Sequence, residues 1–363
     1  MSIEGQITDQ SELEEILESF PDGISHAFGY GSGVFAQTDQ DAQTSTPDEE
    51  LPMIDLILST PNAQEWHGDN LMRNPNHYSF IPRILGPGFI STVQKFGAGV
   101  YFNPMVRVGS RRKRIVKYGV IDHDILKRDL MEWDCMYIAG RMHKPTHPLI
   151  ASDEITMLQQ DYNLKYAIST ALLLLSEKQE IQGGRNGIGI GIGIDIDICE
   201  IFEAVSGLSY TGDPRVAAGA EDPKKVQKLV HSKGQLDRFR NVYNHQLGRL
   251  ENMGLLTMKE NAVEINLMEI STRKVLHNSL PPNLRRDTEH LFSHAHTHAS
   301  LESGIVAHDK VKLTTQVLTE SLTKIVGPAA KAQSAKGLIT AGVYKSIRYA
   351  AAKFSKGAMK GIL

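Results

Sequence analysis

The chain has 363 residues, 41% hydrophobic and 22% charged, with a formal net charge of −3; this is the composition of an ordinary globular protein of roughly two domains. No apolar run approaches the roughly 20 residues that span a bilayer, and the acidic start, Met1 to Phe20, reads as neither a secretory signal nor an Arg-rich transit peptide. Composition alone therefore reads as cytoplasmic, and Cys135 and Cys199, the only two cysteines, exclude a disulfide scaffold and a cysteine zinc site.

In chain order, Ser11 to Phe20 reads as a short helix, with Ser11 at the cap and Glu14 three residues later. Pro21-Asp22-Gly23 breaks it. His26 to Tyr30 reads as a strand that runs into the turn Gly31-Ser32-Gly33. Thr38 to Glu50 is polar and loop-like. Met53 to Ser59 is apolar apart from Asp55 and reads as a buried strand. Glu65 to Met72 starts a helix, and Val100–Val108 and Ile115–Ile121 form a hairpin around Gly109-Ser110-Arg111-Arg112. From Asp153 the pattern turns helical, with Ile168 to Leu175 in the core and a domain boundary near residue 150. The Gly-Ile and Asp-Ile alternation of Gly183 to Asp197 reads as a loop insertion. Pro223 to Leu256 is helical again, and Ser303 to Ala332 is a linker running into a helix.

Three features carry chemistry. Glycines in Gly29-Tyr30-Gly31-Ser32-Gly33 allow close approach of the backbone to a phosphate, whose oxygens successive N–H groups can cradle; the plainer alternative is a tight turn. Asp55 lies inside an apolar strand, where a carboxylate is costly unless paired or bound to a cation. A Gly-Ser loop followed by an acidic strand is the general pattern of nucleotidyltransferases: the loop holds a triphosphate and the acid holds magnesium. Lys117, ending Arg111 to Lys117 in the hairpin, can meet phosphate oxygens as a point charge; the Arg111 to Arg114 run itself reads as a solvated turn.

Three other patterns carry less weight. Asp195-Ile196-Asp197 imitates a paired-carboxylate strand but lies in the Gly-Ile tract, far from the Gly-Ser loop. His290, His294 and His298 fall at helical spacing, as metal ligands do, in a patch that reads as exposed. Ser32 lacks the spacing of a hydrolase nucleophile elbow.

The chain also resembles the mitochondrial translocator assembly and maintenance proteins, which are soluble-fold phosphatidate cytidylyltransferases. The matching segments are Tyr30-Gly31-Ser32-Gly33-Val34-Phe35, Asp55-Leu56, Trp66-His67, Asn70-Leu71 and His77-Tyr78-Ser79-Phe80. They continue with Gly97 to Tyr101, Lys117 to Ile121, Tyr137 to Arg141 with Lys144-Pro145, Gly207 to Tyr210 with Gly212-Asp213 and Arg215, Ser334 to Gly337, and Thr340 to Gly342. They stand in family order over nearly the whole chain.

The resemblance implies an α/β nucleotidyltransferase-fold domain over 1–150, a mostly helical, winged-helix-like domain over 151–326, and a membrane-binding C-terminal tail over 327–363. It implies transfer of CMP from CTP to phosphatidic acid, with Mg2+ as cofactor, at the matrix side of the mitochondrial inner membrane, the CDP-diacylglycerol feeding cardiolipin synthesis. No nucleic-acid partner is expected. On that footing Tyr30, Gly31, Ser32, Gly33 and Lys117 contact CTP, and Asp55, Lys117 and Asp213 are catalytic. Arg141, Lys144 and Arg215 are candidates for lipid or nucleotide phosphate. Met53 stands where nucleotidyltransferases carry a second carboxylate, so the second metal ligand must come from elsewhere: Asp213 first, then Asp122 or Asp124. Competing readings are a nucleotidyltransferase with a water-soluble acceptor and a non-catalytic assembly factor for membrane translocases.

The tail has a physical reading of its own. Lys331 to Leu363 holds seven Lys and Arg residues and no acid, leaving −10 on the remainder. As a helix, Val343, Ile347, Ala350 and Phe354 share one stripe, and Lys345, Arg348, Lys353, Lys356 and Lys360 surround it. That is an amphipathic basic helix suited to an anionic membrane surface, the alternative being a helix packed on the protein's own acidic body.

Overall fold

The computed structural model describes residues 10–35, 51–109, 114–186, 193–217, 224–232, 234–267, 269–299 and 315–337, with side chains left out at 176–186 and 291–299. Two compact units emerge: residues 1–126, 146–155 and 329–363 form one, and 127–145 and 156–328 the other. The single boundary expected near 150 is replaced by an interleaved path, because residues 127–145 pack with the later helices. Asp129 is one reason. Its buried carboxylate accepts the N–H groups of Met136, Ile138 and Ala139 at 2.8, 3.1 and 3.0 Å, tying this segment into a closed turn of its own.

The first unit is a mixed α/β layer. Its five-stranded sheet runs β3-β4-β2-β1-β5, with β1 (His26–Tyr30), β2 (Ile54–Thr60), β3 (Val100–Val108), β4 (Arg114–Asp122) and β5 (His147–Ile150). β2 pairs parallel with β4 and antiparallel with β1. As an inner strand it is buried on both faces, which is why it reads as a nearly unbroken apolar run. Around the sheet lie α1 (Gln10–Glu18), α2 (Ala63–Arg73), α3 (Phe80–Lys95) and the start of α4 (His123–Glu132). Leu13, Ile16, Phe20, Ile54, Leu56, Trp66, Val116, Tyr118 and Val120 share one core. The predicted strand His26–Tyr30 agrees residue for residue, and the hairpin strands agree within a residue.

The second unit follows α5 (Ala139–Met142) and α6 (Asp153–Leu158), a π-helical turn Gln159–Leu164, and α7 (Lys165–Asn186). Ile168, Ala171, Leu172 and Leu173 of α7 are fully buried. Then come β6 (Ile194–Asp197), α8 (Ile198–Gly207), α9 (Pro214–Ala217), α10 (Lys225–His231), α11 (Gln235–Asn252), β7 (Leu256–Met258), β8 (Ala262–Ile265), α12 (Ile270–Asn278) and α13 (Pro282–Ala299). The three strands form a sheet in the order β6-β8-β7. Phe202 of α8 stacks on Phe239 of α11 at 5.2 Å between ring centroids.

The Gly183 to Asp197 tract is not one loop. α7 continues to Asn186, and Ile194–Asp197 is a strand paired antiparallel with β8. Alternating Ile and Asp is the period-two pattern of a strand: Ile196 is buried while Asp195 and Asp197 are exposed. Asp195 pairs with Lys259 at 2.6 Å and Asp197 caps α8 through Cys199 N–H at 2.7 Å, which gives both carboxylates structural partners.

A final helix, α14, covers 315–337. Its last turns belong to the first unit. Lys336 is buried and donates to the carbonyl oxygens of Gln94 and Val100 at 3.1 and 3.0 Å. The basic tail therefore begins as a packed helix, and the Lys336 charge is already spent on the body. Val343, Lys345, Ile347, Arg348, Lys353, Phe354 and Lys356 lie outside the described residues.

Candidate functional site

β1 and β2 place Tyr30 opposite Asp55, and β2 and β4 place Asp55 opposite Lys117. Lys117 Nζ donates to Asp55 Oδ1 at 3.0 Å, and both side chains are about one-fifth exposed, at 18% and 20%. Lys117 Nζ also lies 5.0 Å from the centre of the Phe102 ring. An aromatic face and a carboxylate together hold the ammonium in place.

The turn after β1 closes over the same end of the sheet. Gly31 has φ +80, and a Cβ built there would sit 3.5 Å from Asp55 Oδ2. Its carbonyl accepts the N–H groups of Val34 and Phe35 at 3.1 and 3.0 Å. Gly33 is forced by contact: a Cβ there would stand 2.1 Å from Met53 O and 2.6 Å from Met53 C. So the Met53 slot contributes backbone against which the turn is pressed. Ser32 lies at the tip, partly exposed, and makes no hydrogen bond among the described residues.

Residue 118 points to the opposite face from residue 117, and its side chain anchors β4. Tyr118 Oη accepts from Asn70 Nδ2 and Asn103 Nδ2 at 2.8 and 2.9 Å and meets His77 Nδ1 at 3.0 Å. Asn70 also donates to Tyr78 Oη at 3.0 Å, and Tyr78 meets His67 Nδ1 at 2.7 Å. His67 Nε2 faces Gln94 Oε1 at 2.9 Å. That oxygen only accepts, so Nε2 carries the proton and Nδ1 accepts from Tyr78. Burial lowers the His67 pKa to about 4 and raises that of Tyr118 well above its usual value. The motif residues Trp66-His67, Asn70 and His77-Tyr78 thus brace the strand that carries Lys117.

Register sets Asp122, one of the alternative metal ligands, apart from Asp55. Asp122 pairs with Thr60, five residues along β2 from Asp55, a separation of about 17 Å along the strand. Asp122 instead caps α2 through Ala63 N–H at 2.8 Å, and Asp124 follows it in α4. Asp213, in the second unit, is buried, and its two oxygens take three Arg215 contacts at 3.1, 3.1 and 2.6 Å besides Arg215 N–H at 2.9 Å. A carboxylate so engaged does not fit a metal ion, and Arg215 is spent on it. Gly212 before it, at φ +73, abuts Thr323 of α14, where a Cβ would come within 2.7 Å of Thr323 Cγ2. This Gly-Asp-Arg stretch is a folded turn with a structural task. His290 is exposed on α13. Among the described residues no group of three or more His, Cys, Asp and Glu gathers around a common point.

Arg141 and Lys144 do form a cluster within the second unit. Lys144 Nζ donates to Gly140 O at 2.8 Å and Ser209 Oγ at 2.7 Å, and lies 5.1 Å from the Tyr210 ring. Lys225 lies 5.3 Å from that ring, and Arg141 is 5.4 Å from Tyr137. Lys144 has no carboxylate partner among the described residues. Burial first, then Arg141 and Lys225, push its pKa well below the usual lysine value. A desolvated ammonium beside two further cations favours an anion. Sequence reasoning missed Lys225, which is 81 residues from Lys144 and adjacent to no motif; Phe102 was missed likewise, since only the β3–β4 register sets it near Lys117.

A glycine turn, a partly exposed Ser32 tip and a carboxylate–lysine pair on adjoining parallel strands gather at one end of the sheet of a mixed α/β protein. The comparisons with known proteins then narrow the class. A family model described as phosphatidate cytidylyltransferase, mitochondrial, matches residues 13–356. Curated proteins of that name are similar to this chain: that of Rattus norvegicus is 34% identical, covering 95% of this chain and 94% of its own. That of Caenorhabditis elegans is 32% identical over 95% and 98%, and that of Schizosaccharomyces pombe 31% over 96% and 84%. The chain belongs to the mitochondrial phosphatidate cytidylyltransferase family. Among solved structures, a nucleotidyltransferase-like protein from Exiguobacterium sibiricum is 11% identical, covering 89% of this chain and 78% of that one, at a TM-score of 0.21, too slight a likeness to bear on the fold.

Proposed function

We infer that this protein transfers the cytidylyl group of CTP to phosphatidate, giving CDP-diacylglycerol and pyrophosphate. The observation that carries the assignment of roles is the Asp55–Lys117 pair at 3.0 Å beside the Gly31–Gly33 turn, in a chain matched by the family from residue 13 to 356. A phosphate oxygen of phosphatidate attacks the α-phosphorus of CTP in line, and the bond to the β-phosphate bridging oxygen breaks. The attacking phosphate is ionised near neutral pH, so no strong base is required. Catalysis is positioning and charge neutralisation.

In this reading the Gly31-Ser32-Gly33 turn receives the triphosphate, with the Ser32 tip supplying donors, and Lys117 sets a positive charge against the phosphate oxygens. Asp55 Oδ2, on the side away from Lys117 and near Gly31, suits magnesium, which is commonly held by one or two carboxylates together with substrate phosphates. When bound, magnesium would offset phosphate charge. Asp213 is not part of that ligand set. Arg141, Lys144 and Lys225 supply a second anion site, suited to a phosphate of the lipid or of the nucleotide. The first unit's mixed sheet supports a nucleotidyltransferase fold. The second unit's path, a strand, four helices and two strands with the sheet in the order β6-β8-β7, supports a winged-helix core.

The proposed location is the matrix face of the mitochondrial inner membrane, with peripheral attachment and a product feeding cardiolipin synthesis. Among the described residues no helix is long and apolar enough to cross a membrane, and the basic tail supports surface attachment. The test is incubation with labelled CTP, magnesium and phosphatidate vesicles. Lipid-extractable label is expected. Label in a water-soluble acceptor, or no turnover, would overturn the reading.

A further inference from the structure

The first segment of α3 faces water with an apolar surface. Phe80 is 74% exposed and Ile84 65%, and Ile81 and Leu85 are over half exposed, as is Met72 on α2. Positions 80, 81, 84 and 85 share one helical face, while Pro82 is buried and Arg83 is exposed on the flank. Gly86, at φ +76, ends the segment before the helix resumes. Soluble proteins rarely leave large apolar side chains together in water without a partner. A second, independent feature says which partner. From Asn70 to Ile121 the sequence has nine Lys and Arg residues and no Asp or Glu, in a chain whose net charge is −3. Arg73, Arg83, Lys95 and Arg107 of that stretch are exposed. Exposed apolar side chains in a stretch of sequence that carries those exposed cations and no acid match an anionic lipid surface. A third feature is proximity: the last described turn of α14, whose Lys336 lies in the acid-free C-terminal stretch, is clamped onto α3 at Gln94.

We propose that Phe80, Ile81, Ile84 and Leu85 are a membrane-insertion element that seats the first unit on an anionic bilayer, separate from the C-terminal tail. The proposal rests on phosphatidate being the substrate, since a bilayer-resident substrate is what requires the seat. Its chemistry is interfacial: Phe80 and the aliphatic side chains enter the acyl boundary, and Arg83 stays among the headgroups.

The two tryptophans of the chain, Trp66 and Trp133, are 3% and 0% exposed, so a Phe80→Trp substitution adds the one exposed indole. In the full chain its emission should shift to the blue on adding phosphatidylcholine–phosphatidate vesicles, and brominated acyl chains should quench it. The double variant Ile84→Glu, Leu85→Glu should melt at the parental temperature and partition to those vesicles about tenfold more weakly or worse. It should still turn over dispersed short-chain phosphatidate at the parental rate. Unquenched emission with unchanged partition of the double variant would overturn the proposal. A blue shift without vesicles would also overturn it, pointing to a second copy if it grows with protein concentration and to the chain's own tail if it vanishes on removing residues 338–363. Failure of the parent on both vesicle and dispersed phosphatidate would sink the reaction instead, while quenching still decides the membrane contact.

Discussion

Gly33→Ala tests the phosphate turn at its tightest point. The added Cβ would lie 2.1 Å from Met53 O and 2.9 Å from Ile54 Cα. Carbon and oxygen in ordinary contact stand about 3.3 Å apart, so the turn and the start of β2 must separate by about 1 Å. Both neighbours are backbone at the edge of a buried strand, and neither yields by rotating a side chain. Since Asp55 is two residues beyond Met53, the shift moves the turn relative to the carboxylate. A misplacement of about 1 Å at reacting groups costs on the order of a hundredfold in rate, or about 2.7 kcal/mol of barrier. Initial rates of label transfer from CTP to phosphatidate, taken well below the melting temperature, should fall by about that factor with a raised KM for CTP. Gly248→Ala in α11 is the control: no heavy atom stands within 4 Å of its Cβ position, so it should leave the rate alone and stabilise the helix by roughly 0.5–1 kcal/mol. If Gly33→Ala keeps parental kcat and KM while folded, the turn does not hold the triphosphate.

Asp55→Asn and Lys117→Ala should each remove most turnover and leave the melting temperature within a few degrees, because the pair is partly exposed and such pairs add about 1 kcal/mol or less; a large loss of stability with normal turnover in the surviving protein would make the pair structural. Asp213→Ala should act on stability, by about 1–2 kcal/mol, because it removes the buried acceptor of the Arg215 N–H and of a guanidinium that water partly reaches; unchanged melting with an altered magnesium requirement would restore it as a ligand. Stability should fall as pH drops from about 6.5 towards 4: burial holds His26 and His67 to about 4 and His143 to about 3, so the unfolded chain binds protons that the folded one refuses. At about 1.4 kcal/mol per pH unit, His67 alone contributes a loss of roughly 3 kcal/mol, and a flat denaturation midpoint across that range would refute the buried neutral assignments. Asp129→Asn should destabilise by about 3 kcal/mol or more, since an amide turned towards several N–H donors leaves some unsatisfied; a melting curve like the parent's would show the turn held by other contacts.

The sequence by itself determined four of the first unit's five strands and the turn; β5, four residues at the sheet edge, escaped it. Alternation and apolar runs are local signals, and an isolated Asp in a run such as Met53 to Ser59 advertises itself because burial of a carboxylate is costly. It also marked Lys117 as a cation in the hairpin beside the proposed phosphate site, whereas Arg141 and Lys144 came only through the family resemblance. Register was beyond it. Only the parallel pairing of β2 with β4 sets Asp55 against Lys117 and puts Asp122 at the strand's far end, and no local pattern encodes which residues of two distant strands face each other. Asp213 misled because a carboxylate's chemistry is set by its neighbours: Arg215, two residues on, takes both oxygens once the turn is folded. The Ile194–Asp197 strand was hidden by its repetitive flank, although its alternation was there to read. The Lys336 anchor and the exposed face of α3 are tertiary facts of the same kind, because burial of a charge or exposure of Phe80 depends on what the rest of the chain brings alongside, and only folding decides that.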